Sequence, residues 1–286
     1  MPETPEWMTR SDHRGPVDLR TDRPHAARIY DALLGGKTNY APDRAAADQV
    51  AANIPTAQVA VRVNRAFMHR ATRHLAAEAG LRQFLDIGTG IPTSPNLHEI
   101  AQGVASDSRV VYVDNDPIVL AHSRALHSSD PAGSTAYIEA DVSDPDGILA
   151  SPHLRATLDF AEPIAVSMNL LLHWLPATSD PYAVVERLLG SMVPGSALVI
   201  THLASDIDSS GVSGLESALA ASGAGVKARN KEEVAGFFEG LSLVEPGLVL
   251  PQLWRPEPVE VQVGNAGAGV PDDAVPLWAG VALKTA

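Results

Sequence analysis

The chain has 286 residues, of which 45% are hydrophobic, 19% charged and 5% aromatic, and it contains no cysteine. This is enough apolar material for one large domain, or for a domain with an elaboration. The absence of cysteine excludes disulfides, thiolate metal or iron–sulfur sites and a cysteine nucleophile. The net charge of −13 disfavours nucleic acid and anionic membranes as partners, because both repel an acidic protein.

No apolar run approaches the roughly 20 residues that cross a bilayer. The first residues are polar and mixed in charge, without the apolar core of a signal peptide. The sequence therefore predicts a cytoplasmic protein with no membrane partner.

The charge is unevenly distributed along the chain. Residues 1–80 carry 11 Lys/Arg and 9 Asp/Glu, whereas residues 81–286 carry 10 and 25. The hydrophobic pattern changes at the same place, from a helical period to alternating short apolar runs and helices. We therefore predict an N-terminal arm and helical cap over residues 1–80, with residues 1–20 loosely held, and an α/β domain over residues 81–286.

Three helices are predicted in the N-terminal part. Prolines near helix starts, apolar residues at helical spacing and glycines at helix ends set their limits. They span residues 24–36, 42–54 and 59–80. The third is long and amphipathic, because apolar residues recur in it every four positions.

From residue 81 onward, short apolar runs alternate with helical stretches. The predicted strands are residues 83–87, 109–113, 135–138, 163–168 and 197–201, with helices between them such as 117–126 and 181–189. This alternation predicts a parallel sheet with helices on both faces. Residues 241–244, 247–250 and 278–284 lie close together with turns between, so we expect the sheet to end antiparallel. Residues 264–269 are predicted to form an exposed loop.

The first predicted strand ends in Asp86-Ile87-Gly88-Thr89-Gly90. Two glycines let the backbone approach a ligand, at the carboxyl end of a strand where open α/β sheets bind theirs. Thr93 replaces the third glycine of the dinucleotide fingerprint, and Asp86 would face an anionic pyrophosphate. A carboxylate suits a cation better, and S-adenosylmethionine offers both a sulfonium and an ammonium group.

Two further predicted strands also end in acids. Asp114 lies 24 residues after Gly90, near the roughly 20-residue offset at which a carboxylate accepts hydrogen bonds from a ribose. Asp141 is placed to accept from an adenine amino group, beside the backbone amide of Val142. A single aspartate at a strand end is often only a helix cap or turn former. Three such strand ends in succession favour an adenosyl ligand.

These strand ends resemble the class I S-adenosylmethionine-dependent methyltransferases. Over nearly the whole chain, the sequence is also similar to a bacterial family of proposed methyltransferases catalogued as domain of unknown function 574, which has no generally established acceptor. The likeness rests on three segments: residues 27–40 with Gly35-Gly36-Lys37-Thr38-Asn39-Tyr40, then Asn64-Arg65-Ala66-Phe67, then residues 87–93. It implies a Rossmann-like, seven-stranded, mostly parallel sheet in the order 3-2-1-4-5-7-6 with a helical N-terminal extension.

The resemblance also implies roles for individual residues. Asp86, Gly88 and Gly90 would flank the methionine moiety. Asp114 would bind the ribose, and Asp141 with Val142 the adenine. The N-terminal motif would help to cover the cofactor. The complete set of candidate cofactor-binding residues is Asp86, Gly88, Thr89, Gly90, Asp114, Asn115, Asp141, Val142, Asn169 and Arg65.

Several polar residues of the N-terminal part are candidates for the acceptor side. Lys37, Asn39 and Tyr40 can form a lid in which Lys37 or Asn39 reaches a carboxylate; the alternative is a helix stop followed by a solvated turn. Tyr30 is a candidate for the pocket wall, with ordinary packing as the alternative.

Arg65 lies on the predicted third helix. It is expected either to pair with the carboxylate of the methionine moiety or to form an ion pair with Asp43 or Asp48 on the neighbouring helix. The structural ion pair is the slightly stronger expectation.

After the fourth predicted strand comes His173-Trp174. This place faces the transferred methyl in the class I arrangement, so His173 is the candidate general base or substrate contact and Trp174 a candidate apolar wall. A structural histidine is the alternative, and His202 is a weaker candidate. His69 and His74 are five apart on a helix and do not share a face, so no metal site is predicted.

The absence of two features reduces the number of possible classes of methyl acceptor. The Asn/Asp-Pro-Pro-aromatic motif of DNA amino-methylation is absent after the fourth strand, and without cysteine a covalent adduct with cytosine is excluded. The sequence predicts methyl transfer to a small molecule enclosed by the N-terminal helices. One alternative is a non-catalytic S-adenosylmethionine sensor with no room beside the methyl group. Another is a nicotinamide-dependent oxidoreductase, which Asp86 and Thr93 disfavour.

Overall fold

The computed structural model describes residues 18–126, 130–175, 178–221, 225–257 and 271–285, with the side chains of 123–126 left aside. Most of the predicted arm and the whole predicted loop 264–269 lie outside these ranges. Within them, no helix combines the length and the apolar character needed to cross a membrane.

In the part of the chain from residue 18 onward, three helices precede the sheet, as the sequence predicts: α1 (Ala26–Leu33), α2 (Ala41–Asn53) and α3 (Ala57–Ala77). The ring of His25 caps α1 by accepting the Ala27 amide at 3.3 Å. The predicted four-residue spacing places Val63, Phe67 and Leu75 on the buried side of α3. Burial of this stripe, more than helix propensity, holds such a helix in place.

Seven strands form one sheet in the order β3-β2-β1-β4-β5-β7-β6, which is the order the resemblance implies. The first five are parallel, and β7 runs antiparallel to both β5 and β6. The strands are β1 (Gln83–Ile87), β2 (Arg109–Asp114), β3 (Ser134–Glu139), β4 (Ala165–Asn169), β5 (Ala197–Leu203), β6 (Ser242–Leu243) and β7 (Leu277–Leu283).

One predicted strand is wrong. Residues 247–250 make only a single bridge, between Val249 and Ala279. Pro251 follows at once and opens a short 3-10 helix. Proline has no amide hydrogen to extend a ladder, so pairing with β7 stops after this bridge.

Helices cover both faces of the sheet. One face packs Leu85, Val111 and Val166 against the helices after β3 and β4, and the other packs Phe84 and Val110 against α3. Neighbouring residues of a strand point to opposite faces, so both faces of these strands are apolar. The helices after β1 are α4 (Leu97–Val104), α5 (Pro117–Leu126), α6 (Pro145–Ala150), α7 (Pro152–Thr157), α8 (Pro181–Gly190), α9 (Ser209–Ala221) and α10 (Lys231–Ala235).

A third apolar cluster joins the N-terminal helices to the rest of the chain. Leu33 of α1 and Val50 of α2 belong to the same cluster as Leu215 and Leu219 of α9 and Leu277 of β7. The cap therefore shares a core with residues beyond 200. The domain boundary near residue 80 stays a prediction.

A buried ion pair links this cap to the end of β2. The Arg28 guanidinium Nε lies 3.1 Å from Oδ2 of Asp116 and 3.6 Å from Oδ1 of Asp43. The three side chains are at most 2% exposed. One cation from α1 thus neutralises a carboxylate from α2 and another from the segment after β2.

We expect Arg28→Ala to lower the free energy of unfolding by about 3–5 kcal/mol, because it leaves two buried carboxylates without their cation. Urea denaturation measures this loss. Arg28→Lys keeps the positive charge but lacks the planar guanidinium, so its free energy of unfolding should lie between those of Arg28→Ala and the wild type. The control is Arg62→Ala on the exposed side of α3, which should change stability little. Equal stability of Arg28→Ala and Arg62→Ala would contradict the assigned role.

Candidate active site

A cavity of about 530 Å³ lies between the carboxyl ends of β1, β2 and β4 and the N-terminal helices. Its volume is in the range of small-molecule sites. Of the candidates named from the sequence, those that line it are Tyr30, Arg65, Asp86, Gly88, Thr89, Gly90, Asp114, Asn115, Asp141, Val142, Asn169, His173 and Trp174.

The glycine loop after β1 forms one wall of the cavity. Gly88 and Gly90 have φ angles of +72° and +70°, which side-chain-bearing residues rarely adopt. A Cβ on Gly88 would also lie 2.7 Å from the side chain of Leu171 after β4. The loop therefore needs glycine both for its conformation and for its contact with the neighbouring strand end.

Asp114 fixes this loop to the end of β2. Its Oδ2 accepts the Gly90 amide at 2.8 Å and its Oδ1 accepts the Asp116 amide at 3.0 Å. Burial raises the pKa of Asp114 above its usual value despite these two bonds. Each carboxylate oxygen keeps a lone pair for a ligand hydroxyl.

Asp86 is the second carboxylate of the wall. Burial raises the pKa of Asp86 to about 7, which outweighs hydrogen bonds from Ser167 and Thr89. The nearby carboxylate of Asp114 raises it further. A cation bound beside Asp86 would favour its ionised form, so the site is matched to a positively charged group.

His25, which no sequence motif singles out, lines the same cavity. Its Nε2 lies 3.0 Å from Oδ1 of Asn115, and the Asn115 amide in turn donates to Asp141 at 2.7 Å. Its Nδ1 lies 3.3 Å from Asp116. The only signal in the sequence is the place of His25 just before a helix, which suggests a cap but not the strand end it meets.

Arg65 also lines the cavity, but the predicted ion pair with Asp43 or Asp48 is wrong. Its guanidinium donates to the carbonyls of Thr93 and Pro95, at 2.5 and 3.0 Å. The reason is the direction of the side chain, which extends from α3 toward the glycine loop rather than toward α2. Arg65 therefore holds the end of that loop.

The structure does not bring the motif of residues 35–40 to the cavity. The Asp31 carboxylate accepts the Thr38 amide at 2.9 Å and the Asn39 side chain at 2.8 Å. A Cβ on Gly36 would collide with the same carboxylate. The carboxylate that Asn39 reaches is therefore that of Asp31 in α1, onto which the motif folds back, and not one of a bound ligand.

The two other predicted lid residues are likewise away from the cavity. Lys37 is exposed, and Tyr40 lies under the Arg28 guanidinium, 5.6 Å from it to the ring centre. Among the residues that the structure describes, Lys37, Asn39 and Tyr40 do not line the cavity. The motif forms a turn between α1 and α2, which is the alternative that the sequence left open.

His173 lies on a 3-10 turn, Leu172–Trp174, directly after β4. It is 5% exposed, and burial holds its pKa well below the usual value, with His202 and Arg229 lowering it further. The imidazole is therefore neutral near neutral pH. Its Nδ1 is buried without a hydrogen-bond partner.

Both ring nitrogens of His202 have hydrogen-bond partners within the protein. Its Nε2 lies 2.9 Å from the Arg229 guanidinium and its Nδ1 lies 2.8 Å from the Leu203 carbonyl. The arginine can only donate, so Nε2 accepts and Nδ1 donates. Burial lowers the pKa of His202 to about 4. Both nitrogens are engaged and it does not line the cavity, so His202 is not placed to act as a base.

The family model of the S-adenosyl methyltransferases matches residues 12–285. The chain belongs to this family. S-adenosylmethionine is therefore the cofactor of this methyltransferase. The geometry fits it, since the buried carboxylate of Asp114, the partly buried one of Asp86 and a glycine loop of positive φ meet at adjacent strand ends.

Solved structures agree with this assignment. A protein of the domain-of-unknown-function 574 family from Streptomyces avermitilis is 44% identical over 93% of this chain and 100% of its own, with a TM-score of 0.88. A protein of Thermobifida fusca, described as a proposed methyltransferase, is 40% identical over 94% and 97% of the two chains, with a TM-score of 0.83. The family resemblance of the sequence is confirmed.

A more distant structure shows the fold alone. The plantazolicin methyltransferase BpumL, solved with a desmethyl plantazolicin analogue and S-adenosylhomocysteine, is 14% identical over 91% of this chain and 96% of its own, with a TM-score of 0.52. The curated proteins contain no match to this chain.

The raised pKa of Asp86 makes the stability of the free enzyme pH-dependent. Asp86 keeps its proton up to about pH 7 in the folded protein, because its pKa is about 7 there, whereas in the unfolded chain the ordinary pKa of 3.8 applies. The free energy of unfolding therefore decreases as the pH rises between these two values. Asp86→Asn removes this loss and should be more stable than the wild type at about pH 8, by about 1–3 kcal/mol.

Urea denaturation of both proteins from about pH 5 to about pH 8 measures the difference. The control is Asp48→Asn on the exposed side of α2, whose difference from the wild type should not vary over this range. A constant difference for Asp86→Asn as well would show that Asp86 ionises normally.

Proposed function

We propose that this methyltransferase transfers the methyl group of S-adenosylmethionine to a small molecule held in the same cavity. The observation that supports this is the continuity of one cavity of about 530 Å³ from the acidic strand ends into an apolar region under the N-terminal helices. A sensor needs space for the cofactor only, whereas an enzyme also needs space for the methyl acceptor beside it. The apolar region of the cavity offers such a space.

The cofactor is proposed to lie along the strand ends. Asp86 would face its ammonium group and Asp114 its ribose hydroxyls, with Gly88, Thr89 and Gly90 along the methionine chain. Asp141 and Val142 would meet the adenine, and Asn115, held by His25, would close the ribose side. Arg65 would act as a positioning residue through its bonds to Thr93 and Pro95.

Methyl transfer from a sulfonium donor needs little chemical activation by the protein. A lone pair of the acceptor attacks the methyl carbon, and the carbon–sulfur bond breaks with its electron pair returning to sulfur. The products are neutral S-adenosylhomocysteine and a methylated acceptor that releases a proton. The donor is already activated, so holding the nucleophile in line in a dry cavity provides most of the rate acceleration.

His173 and Asn169 are proposed to orient the nucleophile. Both line the cavity at the end of β4. A neutral imidazole with a low pKa accepts a hydrogen bond but does not retain a proton near pH 7. We therefore assign His173 to receive the hydrogen bond of the acceptor during attack, and Trp174 to the apolar wall.

The cofactor site is tested by calorimetric titration with S-adenosylmethionine. We expect one-site binding that weakens more than about tenfold in Asp114→Ala, because this variant loses both the ribose contact and the anchor of Gly90. Asp48→Ala should bind like the wild type. Absence of binding to the folded wild type would reject the proposal.

The same titration should depend on pH. S-adenosylmethionine carries cationic groups that favour ionised Asp86, so its affinity should rise from about pH 6 to about pH 8. In Asp86→Asn the affinity should be lower and this rise absent. An equal rise in the variant would mean that another group carries the effect.

Methyl transfer itself is followed with methyl-labelled S-adenosylmethionine and the fractions of a bacterial extract. Label should enter the low-molecular-mass fraction rather than protein or nucleic acid. His173→Ala should lower the incorporation at least about tenfold while binding S-adenosylhomocysteine normally. The control His153→Ala, on the exposed side of α7, should be unaffected. Full incorporation by His173→Ala would remove His173 from the mechanism.

A further inference from the structure

The part of the cavity remote from the acidic strand ends is apolar. We call it the apolar chamber and define it by Leu33, Ile54, Ala60, Leu215, Leu219 and Leu277, all buried and all lining the cavity. These residues come from α1, the end of α2, α3, α9 and β7. Five separate stretches of the chain thus present only hydrocarbon to this space.

The residues after β4 mark the junction between the two parts. Leu171 contacts the position of Gly88 on the cofactor side, where an added Cβ would lie 2.7 Å from it. Leu170 and Trp174 pack instead with the cluster of the N-terminal helices and α9. The segment after β4, which carries Asn169 and His173, therefore borders both the glycine loop and the chamber.

The charged side chains that line the cavity belong to the segment before α1, to α1 and α3, and to the strand ends with the residues that follow them. Among the described cavity-lining residues, those of α2, α9 and the stretch from Val226 to Leu277 are all apolar. Arg28 is held by Asp116 and Asp43, and Arg65 by two backbone carbonyls. A charged acceptor in the chamber would lose its hydration without gaining a counter-ion there, which is costly.

Two polar atoms at the junction lack partners. Asn169 donates its amide to Ser167 at 2.7 Å, but its Oδ1 is buried without a hydrogen bond. Nδ1 of His173 is buried without one as well. An unpaired buried acceptor costs free energy that a ligand donor recovers. A carbonyl oxygen such as Oδ1 can be satisfied only by an O–H or N–H group.

We propose that the methyl acceptor is an uncharged, largely apolar molecule that presents one O–H or N–H group to Asn169 and His173 at the end of β4. This rests on the proposed function and specifies its substrate class. The hydrocarbon body occupies the apolar chamber, and the donor group is held in line with the methyl of the cofactor.

Binding of matched naphthalene probes to the S-adenosylhomocysteine-loaded protein tests the charge preference. The probes are 2-naphthol, the anion 6-hydroxy-2-naphthoate and the cation 6-(aminomethyl)-2-naphthol, titrated by calorimetry. We expect 2-naphthol to bind at least about tenfold more tightly than either charged probe. Equal binding of a charged probe, or no binding of any probe, overturns the inference.

A fourth probe, 2-methoxynaphthalene, tests the hydrogen bond because it keeps the ring and lacks the donor. It should bind about tenfold more weakly than 2-naphthol to the wild type, and this difference should shrink in Asn169→Ala. A difference that persists unchanged in the variant would show that Asn169 does not receive the donor.

A variant that fills the apolar chamber tests whether the hydrocarbon body of the acceptor binds there. Ala60→Leu should keep S-adenosylhomocysteine binding and lose 2-naphthol affinity at least about tenfold. The control is Ala77→Leu, the same change on the same helix at an exposed place, which should leave both affinities intact. Unchanged 2-naphthol binding to Ala60→Leu overturns the location.

Titration of S-adenosylhomocysteine alone into the wild type separates a failure of the proposed function from a failure of the proposed substrate class. If S-adenosylhomocysteine does not bind the folded wild type, the proposed function itself fails. If it binds but the probes do not follow the expected order, only the substrate class fails.

Discussion

One buried cation, together with an apolar cluster, joins the helical cap to the sheet and so encloses the cavity. Arg28 of α1 meets Asp43 of α2 and Asp116 after β2, all of them nearly without solvent. A buried ion pair recovers its desolvation cost only in good geometry. The pair therefore favours one placement of α1 and α2 over the strand ends. Without that placement, the strand ends would open directly to solvent.

The residues around this ion pair also hold the strand ends that line the cavity. The segment before α1 brings His25 to Asn115, which in turn holds Asp141. Asp114 meanwhile holds the glycine loop through the Gly90 amide. The acids at the strand ends thus also organise the backbone around the cavity. Burial of Asp86 leaves a carboxyl group whose charge depends on what binds beside it.

Much of the fold was predictable because it follows local patterns. Helical spacing in α3, the five apolar strands and the antiparallel end of the sheet were all visible in the sequence, and the strand order followed from the family resemblance. The acids and glycines at strand ends could be expected to meet, because the carboxyl ends of parallel strands share one edge. The predicted strand 247–250 failed because a proline stops its pairing after one bridge.

Contacts between distant residues could not be predicted in this way. His25 and Asn115 are 90 positions apart, and Arg65 and Pro95 are 30 apart. Their pairing depends on how α1 and α3 lie across the sheet, which no local pattern encodes. The partner of Asn39 is near in sequence, since Asp31 lies eight positions before it, but only the turn after α1 brings the two side chains together.

The Asp31 turn has a consequence for how chains of this family are compared. Its carboxylate uses the Thr38 amide and the Asn39 side chain to close residues 36–39 on themselves, leaving no side chain of Lys37, Asn39 or Tyr40 at the cavity. A change in this motif is therefore expected to alter the turn between α1 and α2 rather than the compound that the cavity binds. Under the proposed function, differences in specificity between relatives are instead expected at the positions of Ala60, Leu215 and Leu219, which line the cavity.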